Sequence, residues 1–239
     1  MLGVMDADGP IDLGERVAEV VRALHAETGV KDTVDRAVSV ATEVVQGCAH
    51  ASVSLVHQDR RMETLAATSE VCRRGDELQY ELGEGPCVDA AGSYDTVRSA
   101  DLARETRWPS WSARALRELG VHSVLSFRLY TATDDLGALN LYAERADAFD
   151  DAAEGVGYAL AAHVAVAMAG KRNLDYANMA LVNRTVIGQA EGMLMERYQM
   201  TADQAFRVLA RVSQQENVKL RDIAAYVVRN GRVPGVHTD

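Results

Sequence analysis

Three cysteines, six histidines and a set of spaced arginines are the groups through which this 239-residue chain could do chemistry. Cys48, Cys72 and Cys87 are odd in number and far apart, with no CxxC pair, which suits free thiols in a reducing cytoplasm better than a disulfide framework. Cys87 follows Gly83, Gly85 and Pro86 in ELGEGPCVDA, a tight loop leading into a helix that begins near the cysteine. A thiol at a helix N-terminus can have a lowered pKa and act as a redox sensor; the alternative is a small buried apolar side chain. Tyr80, Trp108 and Trp111 could line a ligand pocket or equally be core, so Tyr80, Cys87 and Trp108 are the candidate ligand-sensing residues. His25, His50, His57, His122, His163 and His237 show no metal-like pair spacing, and no metal site is expected. A lone Gly-x-Gly is too weak to imply a nucleotide, and no cofactor is read from these residues.

The cationic groups are unevenly spread. The net charge is −10, but residues 1–172 hold 17 Lys/Arg against 28 Asp/Glu, whereas 173–239 hold 8 against 7. Within 205–232, Arg207, Arg211, Lys219, Arg221, Arg229 and Arg232 face only Glu216 and Asp222, a local +4. That segment could sit on a phosphate backbone while the rest repels it, or be a solvated face of mixed charge. No ATP-binding motif is present to suggest a kinase.

These groups need elements to hold them. Apolar and charged contents of 48% and 25% are those of a soluble globular protein of one or two domains. The longest apolar run, GYALAAHVAVAMAG, is shorter than the roughly 18 residues of a membrane span, and the N-terminus lacks the pattern of a secretory signal. Neither a membrane partner nor export is expected. Residues 11–28 place Leu13, Val17, Val20, Val21 and Leu24 on one stripe, giving an N-terminal helix within 1–29. A helix at VDRAVSVATEVV leads to two half-buried strands, ASVSLVHQ and RMETLAATS, joined at Gln58–Asp59–Arg60–Arg61. Helices around 71–80 and 110–119 alternate with strands at YDTVRS, VHSVLSFRLY and LGALNLYAE, the last two joined as a hairpin by TATDD. The pattern is α+β over about 30–170.

From about 150 onward only helix is expected, with a connector over 151–187 and a small three-helix domain over 171–232. Leu160, Ala167, Leu174 and Leu181 recur every seven residues, interleaved with Val164, Lys171 and Asn178. This a/d seam with polar a positions predicts a parallel homodimer through a coiled coil; the alternative is packing on the preceding domain. Thr201 and Gln204 form a T-x-x-Q capping box that opens a second helix, with Ala205, Phe206, Leu209 and Val212 inward. Asn217 suits a turn; Leu220, Ile223, Ala224, Val227 and Val228 line a third helix that Gly231 and Pro234 stop, leaving a mobile tail over 233–239. In TVIGQAEGMLMERYQM, Gly188 and Gly192 each cost about 1 kcal/mol in a helix interior, which predicts that another helix approaches closely there; the alternative is a flexible kink.

The stretch NRTVIGQAEGMLMERYQMTADQAFRVLARVSQQENVKLRDIAAYVV resembles an ANTAR domain, the three-helix RNA-binding module of bacterial antiterminators. The pattern runs through Arg184, Ile187, Gly188, Ala190, Gly192, Met195, Ala205, Phe206, Leu209, Ser213, Asn217, Leu220 and Ala224, and departs at Glu191, where many members have lysine. LQYELGEGPCVDA, DLARETRWPSW and LGALNLYAERADAFD resemble the GAF sensor domains fused to ANTAR in actinobacteria. The resemblance implies a cytoplasmic, signal-responsive regulator, not an enzyme. Its dimeric ANTAR modules would bind paired hairpins in leader RNA, not double-stranded DNA, under control of an unknown small-molecule effector. Arg184, Arg207, Arg211, Lys219 and Arg221 are then the candidates for RNA contact, with Tyr198 as a stacking residue; surface ion pairs and helix-end packing are their alternatives. Rival readings are a protein–protein regulator without RNA, and the free methionine sulfoxide reductase activity of some GAF domains, whose cysteine arrangement is not recognisable here.

Overall fold

The computed structural model describes residues 22–24, 26–57, 59, 61–92 and 95–234. It divides into two compact units, one ending at Arg172 and the other beginning at Asn173.

The first unit is built on a five-stranded antiparallel sheet, β1 (His50–Val56), β2 (Met62–Ala67), β3 (Thr96–Ser99), β4 (Ser123–Tyr130) and β5 (Asp135–Ala143), in the order β2-β1-β5-β4-β3. Alternation along the strands gives the sheet two buried faces. Leu125, Phe127 and Leu129 of β4 and Leu139, Leu141 and Ala143 of β5 point to one side. There they meet α1 (Val30–Val44) and the first part of the long α5 (Asp151–Tyr198). Val124, Ala138 and Tyr142 point to the other. That face is covered by α2 (Glu70–Leu82), α3 (Pro86–Gly92) and α4 (Pro109–Arg114), which runs on as a π turn over Ala115–Leu119. Two glycines allow close approach. Gly137 has φ +148, and a Cβ there would lie 1.8 Å from the Ser54 carbonyl oxygen on the paired strand. On α5, a Cβ at Gly157 would lie 2.5 Å from the Phe127 ring.

Part of the connector seam is used here. Leu160, Val164 and Ala167 are buried, and Leu160 and Val164 belong to the first core with Ala161, Ala165 and Met168. Leu160 and Ala167 are therefore not available to a partner helix, which corrects the expectation that the dimer seam starts at 160. The heptad pattern reports an apolar stripe but not what covers it, and over this stretch the sheet does. By length and apolarity alone α5 could cross a membrane. One side of that stretch, with Leu160, Ala161, Val164, Ala165 and Met168, is core of the first unit, as the alternative of packing on the preceding domain has it.

The second unit comprises the end of α5, α6 (Ala202–Glu216) and α7 (Leu220–Asn230). Its core joins Ala190 and Leu194 of α5, Ala205 and Leu209 of α6, and Ile223, Ala224 and Val227 of α7. Thr201 Oγ1 accepts from the Gln204 N–H and Gln204 Oε1 accepts from the Thr201 N–H, the reciprocal cap read from the sequence. Asn217 ends α6 in the left-handed conformation and Gly231 ends α7 likewise.

Three expectations are corrected in this unit. Phe206, expected inward, is 43% exposed. It lies about 100° around α6 from Ala205, so one side can be buried while the other meets solvent. Among the described residues, nothing lies within 4 Å of a Cβ at Gly188 or Gly192, so none of the described helices makes the close approach expected there. The expected mobile tail starts at 233, but Val233 is buried in the third core. Residues 235–239 lie outside the described residues, as do 1–21 of the N-terminal stretch and Gln58 and Arg60 of the β1–β2 turn. Of that N-terminal stretch, 22–24 are helical and Leu24 is buried in the first core.

Candidate functional site

At the α5–α6 junction, Tyr198, Gln199, Met200, Gln204, Arg207, Val208 and Arg211 line an open hollow. Gln199 takes φ +51 there, and the capping box then starts α6 at a new angle, bringing the helix end against the first two turns of α6. Three of the six candidate RNA contacts, Tyr198, Arg207 and Arg211, thus meet in one place. Arg207 pairs with Asp203 at 2.7 Å on the helix surface. Arg197 reaches across the unit to donate to the Gly231 carbonyl at 2.5 Å, and its guanidinium lies 6.0 Å from the Tyr198 ring centroid. Lys219 and Arg221 sit at the exposed start of α7, where Arg221 pairs with Asp222 at 3.5 Å. Arg184 lies one turn before Gly188 on α5. Among the described residues, the side chains of Arg184, Arg211 and Lys219 make no ion pair. Such exposed pairs as exist contribute at most about 1 kcal/mol, so an incoming phosphate meets little competition.

The first unit encloses a polar cluster between sheet and helices. Asp76 on α2 is fully buried, and its described hydrogen-bond partners are all uncharged. Its carboxylate accepts from Tyr142 Oη, from Asn140 Nδ2 at 3.1 Å, from Thr64 Oγ1 at 3.0 Å and from Ser54 Oγ at 3.4 Å. Burial pushes this carboxyl up to about 6, against the pull of those hydrogen bonds. Tyr80 Oη donates to Ser54 Oγ at 2.6 Å. Gln79 Nε2 donates to Tyr142 Oη at 3.0 Å, and Gln79 Oε1 accepts from the Cys87 N–H at 2.7 Å. The Asn140 Oδ1 and Ser126 Oγ atoms are buried without a hydrogen-bond partner among the described residues.

Of the ligand-sensing candidates, Tyr80 and Cys87 border this cluster, Tyr80 through Ser54 and Cys87 through Gln79. Trp108 stands apart from it, 2% exposed, donating to Asp89 Oδ2 at 2.9 Å and packing edge-on against Trp111. The reading of Cys87 as a thiol of lowered pKa is corrected. It does head a helix, but burial, then the charge of Asp76, pushes it up to about 12. The Cys48 thiol is likewise pushed up to about 12, first by burial. Sequence reasoning misses Asp76, Asn140, Ser54 and Thr64. The available signal is polar residues on inward positions of apolar strands, as in SVS and LNLY.

Comparisons with known proteins follow this division. The GAF domain family profile matches residues 27–169. The chain belongs to the GAF domain family. The ANTAR domain profile matches residues 176–228, within the second unit. A comparison with curated proteins found no match. Among solved structures, the GAF domain of an Acinetobacter phosphoenolpyruvate-protein phosphotransferase is similar at 15% identity and a TM-score of 0.53, covering 66% of this chain and 93% of that one. The GAF domain of the corresponding Coxiella burnetii protein is similar at 16% identity and a TM-score of 0.53, covering 68% and 95%. The chromophore-binding domain of a bacteriophytochrome from R. palustris is similar at 9% identity and a TM-score of 0.55, covering 69% and 62%. At such identities the likeness concerns fold alone. A GAF domain followed by an ANTAR domain is the architecture of signal-sensing, RNA-binding antitermination regulators, typical of regulatory proteins and not of enzymes.

Proposed function

We propose that this GAF–ANTAR protein is a cytoplasmic regulator that binds hairpins in nascent leader RNA and promotes antitermination, under control of a small-molecule signal at the GAF domain. The observation that carries this reading is the hollow where Tyr198, Arg207 and Arg211 meet, on the segment whose local charge is opposite to that of the rest of the chain. RNA hairpin loops splay their bases, so an aromatic ring can stack on a base while guanidinium groups hold neighbouring phosphates. Arg184, Lys219 and Arg221 extend the cationic surface. Two modules held in a homodimer would engage two neighbouring hairpins at raised effective concentration. The signal enters through Tyr80, Cys87 and Trp108 on the face of the sheet covered by α2, α3 and α4, and must bind RNA-competent and incompetent states with different affinity to shift between them.

The test is a salt titration of RNA binding, using hairpins enriched by the full-length protein from a randomised-loop pool. Lys219→Glu combined with Arg221→Glu is expected to lower affinity at least tenfold and to reduce the log–log salt slope by about 0.7–0.9 for each phosphate that the variant no longer neutralises. Unchanged affinity and slope would remove this pair from the interface. A pool without enrichment over a non-binding control would count against RNA altogether.

A further inference from the structure

Ser69 directly precedes α2, where a serine ordinarily turns its hydroxyl onto the first free N–H groups of the helix. Here it does not. The Ser69 side chain makes no such bond, and among the described residues the N–H groups of Glu70, Val71 and Cys72 have no hydrogen-bond partner. The hydroxyl is turned instead to His50, whose Nδ1 lies 3.0 Å from Ser69 Oγ. The other ring nitrogen, Nε2, lies 3.3 Å from Glu144 Oε1. One tautomer satisfies both contacts: Nε2–H donates to the carboxylate, and the Nδ1 lone pair accepts from the serine hydroxyl. Sheet register brings the three together from distant parts of the sequence. His50 opens β1 opposite Tyr142, Glu144 follows the end of β5, and Ser69 follows the end of β2, whose Ala67 pairs with Ser52. All three therefore stand at one end of the sheet. The His50 side chain is 18% exposed, that of Glu144 is 69% exposed and Ser69 is half-buried, so the row opens to solvent.

We propose that Ser69 is a nucleophile that accepts an acyl group from an activated ester or thioester, with His50 as its general base and Glu144 positioning the imidazole. A serine hydroxyl bonded to an imidazole whose other nitrogen is held by a carboxylate is the arrangement that activates a serine, and it is recognised by geometry and not by fold. In the step, Ser69 Oγ bonds to the acyl carbon while His50 Nδ1 takes the hydroxyl proton. The carbonyl electron pair moves onto its oxygen and returns as the bond to the leaving group breaks. The proton then passes from His50 to that group. The products are O-acylated Ser69 and a free alcohol or thiol, and nothing is oxidised or reduced. The unpartnered N–H groups that open α2, a helix of 13 residues, supply donors beside Ser69 for the charge that develops on the carbonyl oxygen. The neighbouring thiols do not compete. Cys72 Sγ lies 3.6 Å from Ser69 Oγ, but it is fully buried and donates to the Ala51 carbonyl. Cys48 is held above its ordinary range, first by burial. The site shares no residue with the candidate ligand-sensing or RNA-contact groups, so the inference stands without either reading.

In the experiment the full chain is incubated with a fluorophosphonate probe and, separately, with p-nitrophenyl acetate. One adduct per chain is expected, placed on Ser69 by peptide mass, with a burst of p-nitrophenolate approaching one equivalent. His50→Gln is expected to slow labelling about a hundredfold or more, as loss of a general base does. Added imidazole is expected to restore part of the rate in His50→Ala, which a purely structural histidine would not allow. Glu144→Gln is expected to slow labelling less than His50→Gln does, and Glu144→Asp less again. Because the hydroxyl does not cap α2, Ser69→Ala is expected to abolish the adduct and leave the thermal midpoint unchanged. Should Ser69→Ala fail to fold, the two His50 variants carry the same test. A chain that takes no adduct on Ser69 overturns the proposal. So does an adduct that forms equally fast in His50→Gln, or one that persists in Ser69→Ala.

Discussion

Asp76 carries the sharpest consequence at the scale of single residues. Its carboxyl titrates near 3.8 when free and near 6 in the fold, so the folded chain holds that proton more tightly than the unfolded chain does. The stabilisation contributed by protonated Asp76 is then fully present below about pH 4 and is lost as pH rises through about 6. Asp76→Asn is neutral throughout and lacks that loss. Urea denaturation at pH 4.5 and pH 7 is expected to show the wild type losing stability relative to Asp76→Asn, by up to about 2 kcal/mol between the two. A difference independent of pH would mean that the side chain is hydrated in solution. Neither this carboxyl nor its partners stand out in the sequence. Ser54, Thr64 and Asn140 come from three strands, and only the sheet register sets Asn140 opposite Ser52 and Ser126. Cys87 shows the converse failure. Its place at the head of a helix is legible, but the burial that governs its thiol arises from distant segments.

Among the elements, legibility follows locality. The capping box at Thr201 and Gln204, the left-handed Asn217 and the β4–β5 hairpin are written in residues a few positions apart, and the structure has each in its expected place. Thr201→Ala is expected to cost about 1 kcal/mol, with Gln204→Ala adding less than its own full effect because the two bonds are reciprocal. Thermal melts of the single and double variants measure this, and strict additivity would show the two bonds to be independent. The connector behaves differently. Its seven-residue period is plain in the sequence, yet Leu160 and Ala167 are covered by their own unit while Leu174 and Leu181 are not. Periodicity reports that a face is apolar; what covers it depends on packing far away in sequence.

For the molecule as a whole, the division of labour is visible in charge and composition without any knowledge of the fold. The first unit is strongly acidic and the second nearly neutral with a basic stretch, a distribution that would steer a polyanion such as RNA to the second unit. If the protein is a homodimer presenting two modules, RNA carrying two hairpins at suitable spacing is expected to bind about ten- to a hundredfold more tightly than either hairpin alone. Lengthening the spacer stepwise in a binding assay locates the optimum, and an advantage of about twofold or less at every spacing would show that the modules act singly. The polar cluster around Asp76 is not legible at this scale, because it is assembled from separate segments of the chain.

The register of α5 also bears on how this chain can drift. Before Lys171, a change at Leu160 or Val164 disturbs the fold of a single molecule and is felt at any expression level. After it, Leu174 and Leu181 are exposed, so the same change there leaves the fold of a single molecule undisturbed. If the proposed homodimer packs through this exposed part of α5, a paralogue arising in the same cell could escape cross-assembly by revising that stretch alone, while its first unit stays untouched.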